Sequence, residues 1–509
     1  MRRMRTGRSQ SKRQAGGLHQ VASQQMFNPY QPMAMLSEDE VEAIHQASLE
    51  VLRDTGIDFQ SPRAVDILRQ AGAQVDKDNR RVRFDPDWVM ETIATTPSEF
   101  TLHGRTPERH MAIGGKAIAF SMVASAPNVS DLDRGRVTGN FADYCNLIRL
   151  GESLNACQVQ AGYPVEPCDI DVNIRHLVAG EAAARLTTKP LKCYALGRQR
   201  VEDVIEIVRI ARGIDSATML QQPSLTTVVN ANSPLIYDST LLEGAITMAE
   251  HNQPVIYTPF TLAGAMAPIT MAGALVQQNA ECLAGLAFHQ CVNPGAPAIY
   301  GSFTSNVDMK SGSPAFGTPE YTQATIASGQ LARKYGIPLR ASNPNASNAP
   351  DAQSAYESQM SLWGCILGQV NLVMHGLGWI EGGLCTSYEK VILDAEMIQM
   401  LQAFLRPMEV NQDSLATSTI AEVGPGSHFF TSGHTMARYE NAFYTPLLSD
   451  WRNFENWRDS GSMDATQRAN RIWKQMLADY EEPQLEAAIS EELDAFVQQR
   501  IQAGGTAPG

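Results

Sequence analysis

"LVMHGLGWIEGG", residues 372–383, runs from a short apolar segment into four glycines, Gly376, Gly378, Gly382 and Gly383. Such a run reads either as a phosphate-binding loop or as the exit of a buried strand. A dinucleotide fingerprint needs GxGxxG opening a helix, inside a unit whose next strand ends in an acid. The spacing here is GxGxxxG, and no strand ending in an acid follows. The stretch is therefore read as a strand and the loop after it, and the segments upstream decide which strand.

Seven comparable runs precede it. They start near Ala117, Ala156, Pro190, Pro223, Pro254, Pro297 and Ile337, and the eighth starts near Val370, at intervals of 31 to 43 residues. Between most of them lie segments of helical period, such as "VEDVIEIVRIARGI" and "YTQATIASGQLARKYG". Strands this apolar cannot face water, so the alternation predicts a parallel sheet covered by helices. Eight units predict closure into a TIM (β/α)8 barrel, with an open doubly wound sheet as the competing arrangement.

The expected organisation has four parts. Residues 1–35 form a basic, disordered arm beginning "MRRMRTGRSQSKRQ". Residues 36–110 form an N-terminal helical and mixed extension, opened by the capped amphipathic helix in "SEDEVEAIHQASLEVLRDTG". Residues 111–384 form the barrel, and 385–509 a helical C-terminal region packed on it. These helical flanks predict a homo-oligomer.

Of the 509 residues, 43% are hydrophobic and 18% charged, the balance of a globular chain with a large core. The net charge of −14 argues against a nucleic-acid partner. The absence of any run of about 18 apolar residues argues against a membrane span and for a cytoplasmic protein. Eight cysteines without a CxxC pair indicate reduced thiols and no structural zinc, and no directly bound metal is expected.

Barrel chemistry sits at the C-terminal ends of the strands. That rule selects Tyr163, Arg198, Asn230, Asn232, Phe260, Tyr300, Phe303, Asn343, His375 and Trp379. The set lacks a Ser-His-Asp grouping, an HExxH motif and a Walker lysine. Aromatics and amides instead suit holding a cation against ring faces.

"PFTLAGAMAPITMAGALVQQNAECLAG" (259–285), "GSFTSNVDMKSGSPAFGTPEYTQATIASGQLARKYGIP" (301–338) and "GPGSHFFTSGHTMARYENAFYTPLLSDW" (424–451) resemble the trimethylamine methyltransferase superfamily. So do "NAPDAQSAYES" (348–358) and the opening stretch with its sequel "LCTSYEKVILDAEM". The resemblance implies a barrel enzyme that passes a methyl group from a methylated amine to the cobalt of a corrinoid on a separate cognate protein. Trimethylamine enzymes of this superfamily carry pyrrolysine on the loop after the seventh strand. Here that loop reads "ASNPNASNAPDAQ", with Asn348 where a lysine is frequent. The chain thus resembles the non-pyrrolysine branch, whose members act on quaternary amines such as glycine betaine.

A quaternary ammonium is already cationic and leaves as a neutral amine, so no covalent nucleophile is expected on this chain. Trp379 is the first choice for an aromatic box, followed by Phe260, Tyr300 and Phe303, with core packing as the competing reading for each. His375 is a hydrogen-bond donor to a substrate carboxylate, with Asn343 beside it. Arg340 and Arg198 are rival clamps, Arg340 being discounted by its mid-strand position. Glu381 is placed to face the ammonium. Gly376 and Gly378 are expected to let the backbone approach the corrin ring. Glu320 and Asp351 read as helix-start residues, and His428 and His434 as staples of the C-terminal region. Two further functions stay open: transfer from trimethylamine or another methylated amine, and a non-catalytic quaternary-amine sensor.

Overall fold

The computed structural model describes residues 18–76 and 80–508. Seven parallel strands form one curled sheet. In space they run Ala117–Met122, Leu372–Leu377, Leu339–Ser342, Ala298–Gly301, Val255–Tyr257, Leu225–Val229 and Leu191–Lys192. These are seven of the eight expected runs. The other, near Ala156, is extended but is not a strand. Val159 bridges Ser121, Met122 N donates to Val159 O (3.3 Å), and Gln160 N donates to Pro190 O (3.0 Å). The ladder is interrupted because the side-chain oxygen of Gln158 takes the Phe120 amide at 2.8 Å.

The period-two alternation of a strand sorts the side chains. Val228, Ile256, Ile299, Leu372 and Met374 point inward and form one interior cluster with Ala119 and Val159. Tyr257, Tyr300 and Val373 point outward into the main core under the helices. The hairpin Glu99–Leu102 and Met111–Gly114 closes the end where the strands begin, adding Leu102, Met111 and Ile113 to the interior cluster.

The helix Glu38–Glu50 starts at the capping box of Ser37 and Glu40 and packs on the helix Met271–Val292. Part of the expected arm is structured: Met26–Phe27 pairs antiparallel with Ala117–Ile118, and the side-chain amide of Asn28 donates to Ile366 O. The basic stretch at residues 1–14 lies outside the described residues. The helix Tyr388–Phe404 packs on the strand Leu372–Leu377 and on the helix Ala465–Ala478. The expected boundary at 384 therefore cuts the last strand–helix unit. Among the described residues, no helix is long and apolar enough to cross a membrane.

One buried ion pair ties this last helix to the sheet. Lys390 and Asp394, four residues apart, have fully buried side chains. Asp394 also accepts from Gly378 N (2.8 Å), Asn343 Nδ2 (3.2 Å) and Ser358 Oγ (3.0 Å). Removing one member leaves an uncompensated charge in the core. Lys390→Met is expected to lower the unfolding free energy in urea by about 3–5 kcal/mol, and Lys390→Met/Asp394→Leu by less.

Candidate functional site

The register between Leu372–Leu377 and Ala117–Met122 shifts between Val373 and Leu377. His375 sits in this bulge in the left-handed region, at φ +54°. That conformation is uncommon outside glycine, and a bulge re-aims a side chain that regular pairing would point elsewhere. His375 Nδ1 meets Ser342 Oγ at 3.1 Å, and the imidazole lies 4.6 Å from the Trp379 ring.

After the bulge the chain forms a hairpin, Trp379–Ile380 against Cys385–Ser387. Its turn passes through Gly382 (φ +62°) and Gly383 (φ +96°). A Cβ on Gly383 would stand 2.7 Å from two indole carbons of Trp379, so the glycine lets the turn cross the ring. The indole N–H donates to Asn345 O at 3.0 Å.

These groups open on a cavity of about 520 Å³. One wall is aromatic. Phe260, Phe303 and Trp379 line it, and Phe316 packs behind them, edge-on to Trp379 at 6.1 Å and to Phe303 at 5.7 Å. The remaining lining includes Asn230, Asn232, Thr258, Lys192, Arg340 and His375, and no Asp or Glu lies among the described lining residues.

The charges there are poorly compensated. Neither Lys192 nor Arg340 makes an ion pair among the described residues. Arg340 is buried, and among the described residues its Nε has no partner and its one hydrogen bond is a long one to Ser302 O at 3.4 Å. Its guanidinium lies 5.4 Å from the Phe303 ring centre, and Lys192 Nζ lies 4.7 Å from that of Tyr194. Burial lowers the Lys192 pKa to about 8, with repulsion from Arg340 as the largest charge effect, and burial lowers that of Arg340 to about 10. Burial first, then Arg340 and Lys192, holds His375 well below the ordinary imidazole range, so it is neutral near pH 7.

Of the residues selected or weighed from sequence, Trp379, His375, Phe260, Phe303, Asn230, Asn232 and Arg340 meet in this cavity. Tyr300 does not: it points outward, its hydroxyl donating to Asn279 Oδ1 at 3.1 Å. Glu381 faces Arg136 across the neighbouring hairpin at 2.8 Å. Asn343 is buried and donates to Gly376 O and Asp394, positioning the loop. Gly376 packs on Ser121 and Phe120, and a Cβ on Gly378 would meet Val391 at 2.7 Å, so both glycines serve interior packing. Arg198 is exposed and pairs with Glu202, and Asn348 is exposed on its loop. Asp351 caps the helix Ala352–Gly368, and Glu320 lies in the first turn of Pro319–Tyr335. His428 and His434 lie in the segment beyond Phe404, outside the cavity lining.

Sequence reasoning missed Lys192, Tyr194, Thr258 and Phe316. The signal for Lys192 was present: a lysine inside the apolar run "PLKCYAL" needs a polar destination. Among the described residues, no group of three or more His, Cys, Asp or Glu is placed to hold a metal ion.

A family profile described as trimethylamine methyltransferase matches residues 2–505. A glycine betaine methyltransferase from Desulfitobacterium hafniense strain Y51 is 37% identical over 467 residues, covering 92% of this chain and 97% of the relative. A trimethylamine methyltransferase from another strain of that species is 28% identical, covering 93% and 95%. Among solved structures, the monomethylamine methyltransferase of Methanosarcina barkeri aligns over 89% of this chain and 90% of its own, at 10% identity and a TM-score of 0.48.

A depressed histidine pKa means that the unfolded chain binds the proton more readily, so stability falls as pH drops below about 6.5. His375→Asn removes that contribution. Its thermal midpoint is expected to fall less between pH 7 and pH 5 than that of the unmodified chain; parallel curves would show that His375 does not titrate this way.

Proposed function

Since the chain belongs to the trimethylamine methyltransferase family, we propose that it moves a methyl group from a quaternary ammonium compound to the Co(I) of a corrinoid on a separate protein. The observation carrying this reading is the aromatic wall of Phe260 and Trp379, on a cavity where a desolvated methylammonium finds ring faces. Each good face contributes about 0.5–2 kcal/mol. The 37% identity with a glycine betaine methyltransferase supports the same substrate class.

The chemistry asks little of this chain. The C–N bond breaks with its electron pair staying on nitrogen, which leaves as a neutral tertiary amine. The corrinoid supplies the electron pair for the new bond to the methyl carbon. No proton moves. The chain's residues desolvate the ammonium, orient one methyl outward and exclude water.

The rim suits a large, flat acceptor. Ile269, Met309 and Leu384 are exposed on the loops around it, and Gly382 and Gly383 keep the near side low. Closure of the sheet into a (β/α)8 barrel is part of the same proposal, supported by the main-chain bonds of Val159 and Gln160 to the flanking strands.

A homo-oligomer is supported by the segment after Phe404. Met408, Phe430 and Phe443 are each at least 80% exposed there, and between 405 and 446 hardly any residue is buried. The helix Tyr388–Phe404 begins beside the mouth hairpin and ends next to Tyr30, so the segment leaves from the end away from the mouth. That position suits a second copy of this chain better than a corrinoid protein visiting the cavity.

In an assay with reduced corrinoid protein and a panel of amines, methylated corrinoid is expected to form from a quaternary ammonium and not from trimethylamine. Turnover of trimethylamine alone would overturn the reading. Trp379→Ala is expected to lower kcat/KM about 2- to 30-fold. By sedimentation, the full chain is expected to be a dimer or larger, shifted toward monomer by Phe430→Asp/Phe443→Asp.

A further inference from the structure

We propose that Lys192 is the nucleophile of a second, covalent site, which takes a small uncharged aldehyde as an imine, with His176 and Asp203 behind it as the base. The inference goes beyond the methyl-transfer reading and does not depend on it.

Of the lysines drawn into the interior, Lys189 donates to the main-chain oxygens of Gly151 (2.6 Å), Glu152 (3.0 Å) and Leu154 (2.9 Å), and Lys390 is paired with Asp394. The Lys192 ammonium has neither kind of partner among the described residues; it lies over the Tyr194 ring, and the side chain lines the cavity. A second cavity, of about 40 Å³, shares Lys192 and Tyr194 with the first. His176, from the helix Arg175–Leu186, lines that second cavity and is 4% exposed. Its Nε2 donates to Asp203 Oδ2 at 2.9 Å, and Arg500 holds Asp203 in turn at 2.8 Å. His176 Nδ1 is buried without a partner among the described residues. With Nε2 protonated toward Asp203, Nδ1 carries a lone pair, and the cavity has room for water to join it to Lys192.

A lysine that is desolvated and next to another cation is the kind that attacks carbonyl carbon. Burial first, then Arg340, brings the Lys192 pKa to about 8. Near pH 7 about a tenth of it is free amine, against less than about a thousandth of an exposed lysine. In the step, Lys192 gives one proton through water to His176 Nδ1, and Asp203 offsets the imidazolium. The nitrogen pair forms a C–N bond to the aldehyde carbon while the C=O π pair moves to oxygen, which takes a proton from the same nitrogen. His176 returns its proton to that hydroxyl, the C–O bond breaks, water leaves and the nitrogen pair closes the C=N bond. No oxidant or reductant is consumed. The iminium carries the charge the ammonium had, so it needs no new counter-ion. The carbon chain lies in the space lined by Phe260 and Trp379, which favours an apolar aldehyde over an ionic one.

The test traps the imine. The full chain is treated at pH 7 with propanal and sodium cyanoborohydride, which reduces an imine to a stable propylamine, and the adducts are located by peptide mass spectrometry. Lys192 is expected to be labelled at least about 10-fold faster than the exposed Lys116 and Lys310. That ratio is expected to fall above about pH 8, where Lys192 is already free amine and exposed lysines are still gaining it. The groups facing Lys192 are Arg340 and His375 from other strands, its neighbours Cys193 and Tyr194, and Glu166. Tyr163, His176 and Arg200 complete the set around the second cavity. His176→Gln is expected to slow labelling of Lys192 at least about 10-fold and to leave Lys116 and Lys310 unchanged. Should that variant lose its fold, seen as labelling of the buried Lys189 and Lys390, the ratio and its pH profile in the unmodified chain decide alone. Labelling of Lys192 no faster than that of Lys116 and Lys310, or a ratio unchanged in folded His176→Gln, would overturn the site.

Discussion

The carboxylate of Asp394 holds the functional end of the sheet together. Buried in the last strand–helix unit, it receives the Gly378 amide, the Asn343 side chain, Ser358 and Lys390. A buried charge persists only when its partners satisfy it, and here those partners are the backbone of one cavity loop and the side chain that anchors another. Through Gly378 it fixes where the eighth run leaves the sheet. Through Asn343 it ties that exit to the loop after Leu339–Ser342. The bulge at His375 and the hairpin carrying Trp379 lie on either side of this anchor, so the positions of both rings depend on a group that never touches the cavity.

The cavity itself is electrostatically incomplete. Its lining brings aromatic ring faces together with a neutral imidazole and two cations that make no ion pair among the described residues, one of them lying against the Phe303 ring. A protein interior normally pairs its charges. The strained backbone at His375 belongs to the same pattern, since unusual conformations are held where function requires a fixed direction.

Much of this was legible in the sequence. The repeated apolar runs gave seven strands in the right order, and the eighth failed because Gln158 substitutes its side chain for the ladder bond. Trp379, His375, Phe260 and Phe303 were readable as strand-end residues in a matched family motif. Tyr300 and Arg340 were judged on position along the strand when side-chain parity mattered more. Ile299 and Arg340 point to the inner face of the curled sheet, whereas Tyr300 points out beneath a helix. Alternation was available in the sequence, but its phase is set only once one residue of each strand is known to face inward.

The sequence by itself determined the family, the parallel strand–helix pattern and the aromatic character of the mouth, because these depend on residue types in order along the chain. The glycines of the opening stretch are a case where it misdirected. Gly376 and Gly378 have interior packing reasons, and only Gly382 and Gly383 belong to the mouth. Tertiary structure alone decided that Lys192 and Arg340, 148 positions apart, would line one cavity with no acid among its described lining residues. Charge compensation is a property of distance in space, and linear order does not record it.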